Sequence, residues 1–107
     1  MRINGVNLLH DGAMNPDIQD QRDAHRYELK VDGELAAHID YRLRGDTIDL
    51  IHTEVVPAHE GKGLGSQIAR YALDDARSRG LKVIASCSYI AGYVRKHPEQ
   101  GDVLAQR

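Results

Sequence analysis

The residues Gly61-Lys62-Gly63-Leu64-Gly65-Ser66 put three glycines and a lysine just ahead of a helical stretch. That composition suits an anion. Glycines let backbone N–H groups approach phosphate oxygens, the helix behind them adds a favourable dipole, and Lys62 adds a charge. On this stretch alone, a glycine-rich turn with no ligand is the alternative. Two familiar phosphate loops fail on spacing. A Walker loop needs four residues between its first Gly and a Gly-Lys-Ser/Thr, and Gly63 follows Lys62 here. A dinucleotide fingerprint needs G-x-G-x-x-G, and this chain has G-x-G-x-G. A third possibility is therefore a generic binder of phosphate ligands.

Other residues carry reactive groups. Cys87 stands immediately before a second helical stretch, where a thiol can ionise and act as a nucleophile. A small buried packing residue is the competing reading. His52 and Glu54 are two apart in a β-branched, apolar run, and strict alternation puts Ile48, Leu50, His52 and Glu54 on one face. His52, His59, His97 and Cys87 match no standard zinc spacing, so no metal is expected.

The elements that must position these groups fit one small domain. The chain has 107 residues, enough for a single core. A net charge of −2 excludes the broad basic field that nucleic-acid binders need. No apolar run reaches the length of a membrane span and the first residues lack a signal-peptide core, so a cytoplasmic protein is expected. The lone cysteine excludes an internal disulfide.

Residues 1–24 read as a loose arm in which Ile3, Val6, Leu8 and Leu9 could form a short edge strand, while the polar run DIQDQRD has no clear period. From His25 the pattern sharpens. Tyr27, Leu29 and Val31 alternate with charged residues, Asp32-Gly33 is the signature of a type I′ hairpin, and Glu34 to Leu43 returns with Leu35, Ala37, Ile39 and Tyr41 alternating. Arg44-Gly45-Asp46 makes a second turn, and Thr47 to Val56 a third strand that ends at Pro57.

A helix over about Leu64 to Arg79 buries Leu64, Ile68, Ala69, Ala72, Leu73 and Ala76, with Gly80 as its left-handed cap. Leu81 to Cys87 reads as a buried strand parallel to the third. Ser88 to about Lys96 reads as a short helix stopped by Pro98, and the tail 103–107 is expected to pack little. The fold expected is α/β: an antiparallel meander, a β-α-β crossover and a short C-terminal helix.

From His25 to Asp102 this order resembles the GNAT superfamily of N-acetyltransferases. It is most similar to the very small stand-alone members that lack helices between the first two strands. The resemblance rests on His52-Thr53-Glu54-Val55-Val56-Pro57, on Glu60-Gly61-Lys62-Gly63-Leu64-Gly65-Ser66, and on Cys87-Ser88-Tyr89 with Tyr93 and His97-Pro98-Glu99. The superfamily turn begins with Gln or Arg. Glu60 departs from that and puts a negative charge beside the turn.

The resemblance implies a minimal GNAT domain over 25–102 that binds acetyl-CoA and moves its acetyl group to an amine, either a small amine or a protein lysine or terminus. The pyrophosphate would lie on the amides of Gly61, Lys62, Gly63, Leu64, Gly65 and Ser66, and the pantetheine arm beside Val55 and Val56. Glu54 would be the general base, with His52 as the alternative. Tyr93, ahead of Tyr89, would protonate the leaving sulfur. A cysteine at the position of Cys87 in similar small proteins invites an acetyl-cysteine intermediate. An acyl-CoA-binding or regulatory module with little transferase activity is the alternative function.

Overall fold

The computed structural model describes residues 15–105. The edge strand expected from Ile3 to Leu9 lies outside the described residues. Five strands form one sheet in chain order: β1 (Pro16–Gln21), β2 (Arg26–Val31), β3 (Glu34–Arg44), β4 (Thr47–Val55) and β5 (Lys82–Ala85). The first four are antiparallel neighbours, and β5 runs parallel to β4 after a crossover through helix α1 (Leu64–Ser78). Helix α2 (Ser88–Lys96) follows. The expected meander, crossover and final helix are all present.

The sheet has one apolar face. Tyr27, Leu29, Ile39 and Leu50 are fully buried there beneath Ile68 and Leu73 of α1. Helix α1 packs across β2 to β5, and α2 lies against β4 and β5. Among the described residues the other face carries no helix and is polar. The α1 stripe is the expected one with Gly65 added. Its end is a Schellman motif: Leu81 N–H donates to Ala76 O at 2.9 Å, Gly80 N–H donates to Arg77 O at 3.2 Å, and Gly80 takes φ +69°. The Asp32-Gly33 turn has φ +51° and +87°, as a type I′ hairpin requires.

Three features differ from expectation. The run DIQDQ is ordered as β1, paired with β2 along its length. It shows no apolar period because its inward positions are Ile18 and an acid, Asp20. That carboxylate accepts from Tyr41 Oη at 2.6 Å and Arg79 Nη1 at 3.2 Å. Beyond residue 102 the chain packs: Val103 is buried, and Ala105 N–H donates to Val83 O at 2.8 Å along the outer edge of β5. An edge strand leaves such groups unpaired, and the tail covers them.

The third difference matters for chemistry. The register of β3 on β4 runs Tyr41 with Leu50 and then Asp40 with His52, so Ile51 is an extra residue with no partner. A bulge of this kind changes which side chains face the core. Ile48, Leu50, His52 and Glu54 therefore do not share one face. Ile48 and Leu50 are buried under the helices, whereas Glu54 and His52 lie opposite His38 and Asp40 on the helix-free face.

Candidate active site

The parallel pairing of β4 with β5 ends at Leu50 and Ala85. The last link is Cys87 N–H to Leu50 O at 2.9 Å. Beyond it the chain turns into α2, and among the described residues no strand pairs with residues 51–55 of β4 on that side. A gap opens there, and the glycine turn stands at its mouth. Val56 N–H donates to Ala36 O at 2.8 Å, so it is already engaged with β3. Strand alternation then turns the peptide groups of Val55 toward the gap. Of the two residues expected beside the pantetheine arm, Val55 is open and the Val56 amide is not.

A cleft of about 330 Å³ occupies this gap, with Thr53, Val55, Glu60, Gly63, Gly65 and Tyr89 in its walls. Gly61 and Gly63 take φ +84° and +76°, the left-handed region that favours glycine. Gly63 caps α1 without a side-chain acceptor, and Gln67 N–H is the first in the helix to reach a backbone carbonyl, Gly63 O at 3.2 Å. The N–H groups of Leu64, Gly65 and Ser66 are thus left for a ligand, with the helix dipole behind them. Lys62 is exposed and leans toward His59, Nζ to Nδ1 3.4 Å. Glu60 does line the cleft, so the acid that departs from the usual turn stands beside the cradle.

Gly65 has ordinary helical geometry and is required for another reason. A Cβ there would stand 2.5 Å from Tyr89 Oη. Tyr89 is half-exposed and lies across the turn, dividing the cleft from a second hollow of about 370 Å³ that Ser66, Tyr93, Arg95 and Lys96 help to line. Tyr93 borders this second hollow and not the cleft, its ring tilted against that of His97 at 4.4 Å between centroids. Burial pushes the Tyr93 hydroxyl above the usual tyrosine range. The helix that was expected to offer Tyr93 first therefore turns Tyr89 toward the cleft.

Cys87 is buried at the N-cap of α2. Its Sγ donates to Thr53 Oγ1 at 3.3 Å, and Thr53, not Cys87, faces the cleft. Thr53 was not singled out from sequence because strict alternation puts it on the solvent side. Glu54 and His52 come together on the opposite face, Oε1 to Nε2 3.6 Å, and both are more than half exposed. His38, also missed, approaches the same Glu54 oxygen at 3.6 Å from β3. Among the described residues no three His, Cys, Asp or Glu side chains are arranged to hold a metal ion. No helix among them is long and apolar enough to cross a membrane.

Comparison with known proteins agrees with this fold. The family described as GCN5-related N-acetyl-transferase matches residues 26–103. Protein NATD1 of Mus musculus is 32% identical over 83 residues, covering 76% of each chain. A streptothricin acetyltransferase of Streptomyces lavendulae is 33% identical over 72 residues, 65% of this chain and 38% of that one. The solution structure of a GCN5-like protein from Staphylococcus aureus superposes with a TM-score of 0.65 at 26% identity, over 85% of this chain and 89% of that one. A ribosomal-protein-alanine N-acetyltransferase from Brucella melitensis shares the fold, with a TM-score of 0.56 at 18% identity, over 89% and 93%.

Proposed function

Since the chain belongs to the GCN5-related N-acetyltransferases, we propose that it binds acetyl-CoA in the cleft between β4 and the start of α1 and transfers the acetyl group to an amine arriving on the helix-free face. One observation carries this reading. The strand gap and the unpartnered amides of Leu64 and Gly65 border the same cleft, so a pyrophosphate on the turn and an extended arm along Val55 fit one ligand.

Acetyl-CoA supplies the activated carbonyl. The chain supplies position and proton transfer. The outward peptide group of Val55 can polarise that carbonyl as charge develops. Glu54, half-exposed across the strand, takes the proton the amine gives up as its nitrogen bonds to the carbonyl carbon. His52 can carry that proton on to water. When the carbon–sulfur bond breaks, Tyr89 is the hydroxyl beside the cleft that can return a proton to sulfur. The exposure of Glu54 and His52 on an open sheet face suits a bulky acceptor, such as a protein amine, as well as a small one. A cytoplasmic setting accords with a single cysteine kept as a free thiol.

The openness of that face also favours a second reading, a coenzyme-binding module with little turnover. Release of free thiol from acetyl-CoA separates the two, measured with a panel of small amines and lysine or N-terminal peptides. The transferase reading predicts thiol release with at least one amine and a fall of roughly 100-fold in kcat for Glu54→Gln. Tight coenzyme binding with no release on any amine would leave the module. Failure to bind coenzyme A would refute both.

A further inference from the structure

The helix-free face of the sheet is built in cross-strand rows. Gln19, Glu28, His38 and Glu54 form one, and Gln21, Arg26, Asp40 and His52 form the next. Side chains directly opposite on one face are close neighbours. Glu28 is already paired, with Arg26 Nε at 2.7 Å. His38 is left between two other carboxylates: its Nδ1 lies 3.3 Å from Asp40 Oδ1, and its Nε2 lies 3.6 Å from Glu54 Oε1.

The two histidines near Glu54 differ in freedom. The His52 side chain is 59% exposed and can swing away, whereas that of His38 is 13% exposed and is held in the sheet. The buried Nδ1 of His38 has no well-angled hydrogen bond although Asp40 is near, so the ring is placed by packing and by charge on both sides. A contact of 3.6 Å is a charge contact, not a hydrogen bond, and sites of this kind tighten when ligands bind.

We propose that His38 is a positioning residue for Glu54: fixed between Asp40 and Glu54, it restrains the Glu54 carboxylate on the helix-free face, the side from which the acceptor amine is proposed to approach. The inference rests on Glu54 being the base. Glu54 is exposed on a flexible stem, and among the described residues its other charged neighbour, His52, is itself exposed. His38 supplies a rigid partner from the adjacent strand, and the Ile51 bulge sets the register that brings the two opposite each other.

The test is a double-mutant cycle on the full chain, with acetyl-CoA and the best amine found by thiol release. His38→Gln is expected to lower kcat roughly 10- to 100-fold. The KM for acetyl-CoA and the Kd for coenzyme A should stay within about twofold, because the coenzyme cleft lies on the other face. The His38→Gln/Glu54→Gln double variant should be no slower than Glu54→Gln alone. If His38→Gln folds poorly by circular dichroism, Asp40→Asn tests the same array from an exposed position, with a smaller loss that also vanishes in the Glu54→Gln background. Wild-type kcat in His38→Gln alongside a crippled Glu54→Gln would overturn this inference alone and leave the base in place. Losses that multiply in the double variant would also overturn it. A fully active Glu54→Gln would remove the base assignment, and the role of His38 with it.

Discussion

Gly63 and Gly65 stand two apart in one turn, yet the structure requires glycine at each for a different reason, and alanine should expose the difference. At Gly63 nothing described lies within 4 Å of an added Cβ, but φ is +76°. Alanine there pays only the left-handed penalty, roughly 1–2 kcal/mol. At roughly 4–8 °C per kcal/mol for a domain of this size, the melting temperature should fall measurably. The amides stay where they are, so affinity for coenzyme A should hold within about twofold once the protein is folded. At Gly65 the backbone is helical, and alanine gains up to about 1 kcal/mol in propensity.

The Gly65 Cβ meets Tyr89 Oη at 2.5 Å, and the ring must retreat by about an ångström to reach ordinary contact. Tyr89 is half-exposed and can move, so stability should change little. The ring and the new methyl then intrude on the cradle. Disturbing one or two hydrogen bonds to a phosphate, each worth about 1.5–3 kcal/mol, should weaken coenzyme A binding at least about tenfold. Thermal melts and titration calorimetry on both variants read the two effects separately. A folded Gly65→Ala protein that binds coenzyme A like wild type would refute the placement of the pyrophosphate on this turn.

Cys87→Ala should retain coenzyme affinity and most acetyl transfer, at a stability cost of about 1 kcal/mol, because the thiol packs beneath Thr53 and does not border the cleft; loss of turnover, with an acetyl group found on Cys87 of the wild type by mass spectrometry, would reverse this. The Tyr27 and Tyr41 hydroxyls are buried and donate to Asp75 and Asp20, and burial first, then those bonds, hold their protons well above the usual tyrosine range. The folded state keeps protons that the unfolded chain loses above about pH 10. Their contribution is therefore complete below that pH and falls above it, by up to about 2.7 kcal/mol per pH unit for the pair. Urea midpoints should decline steeply between pH 10 and 11 and less steeply in Tyr41→Phe, and equal slopes in the two proteins would contradict the buried pairing.

Wherever burial imposed a period, the fold could be read from the chain. The alternation of Tyr27, Leu29 and Val31, the stripe from Leu64 to Ala76 and the Asp32-Gly33 turn each have a local cause, and all were found. What escaped depended on partners far away in sequence. β1 could not be read because its inward residue Asp20 is an acid satisfied by Tyr41 and Arg79. The tail could not be read because its partner is the edge of β5. Counting back from the Arg44-Gly45-Asp46 turn pairs His38 with Thr53, and the unmatched Ile51 moves it to Glu54. Nothing local announces that extra residue, since Ile51 is as good a strand residue as its neighbours. The glycine turn was found by composition, but that Tyr89 and not Tyr93 borders the cleft required knowing which side of α2 faces Gly65.

The bulge is also what reconciles the proposed chemistry with the strand. Without it, alternation from the buried Ile48 and Leu50 would carry His52 and Glu54 under the helices. A carboxylate there would need a buried partner, and an incoming amine could not reach it. Thr53 and Val55 would then face the open side and leave the cleft to charged side chains. One extra residue exchanges the two pairs. Thr53 and Val55 go to the cleft, while His52 and Glu54 go to the side where an acceptor can approach. Among the described residues, a gap between the two faces opens where β5 stops pairing after Ala85. An acetyl group held on one face would therefore meet its amine through that gap. Deleting Ile51 should thus abolish transfer even if the sheet still forms, because it returns Glu54 to the wrong side of the strand.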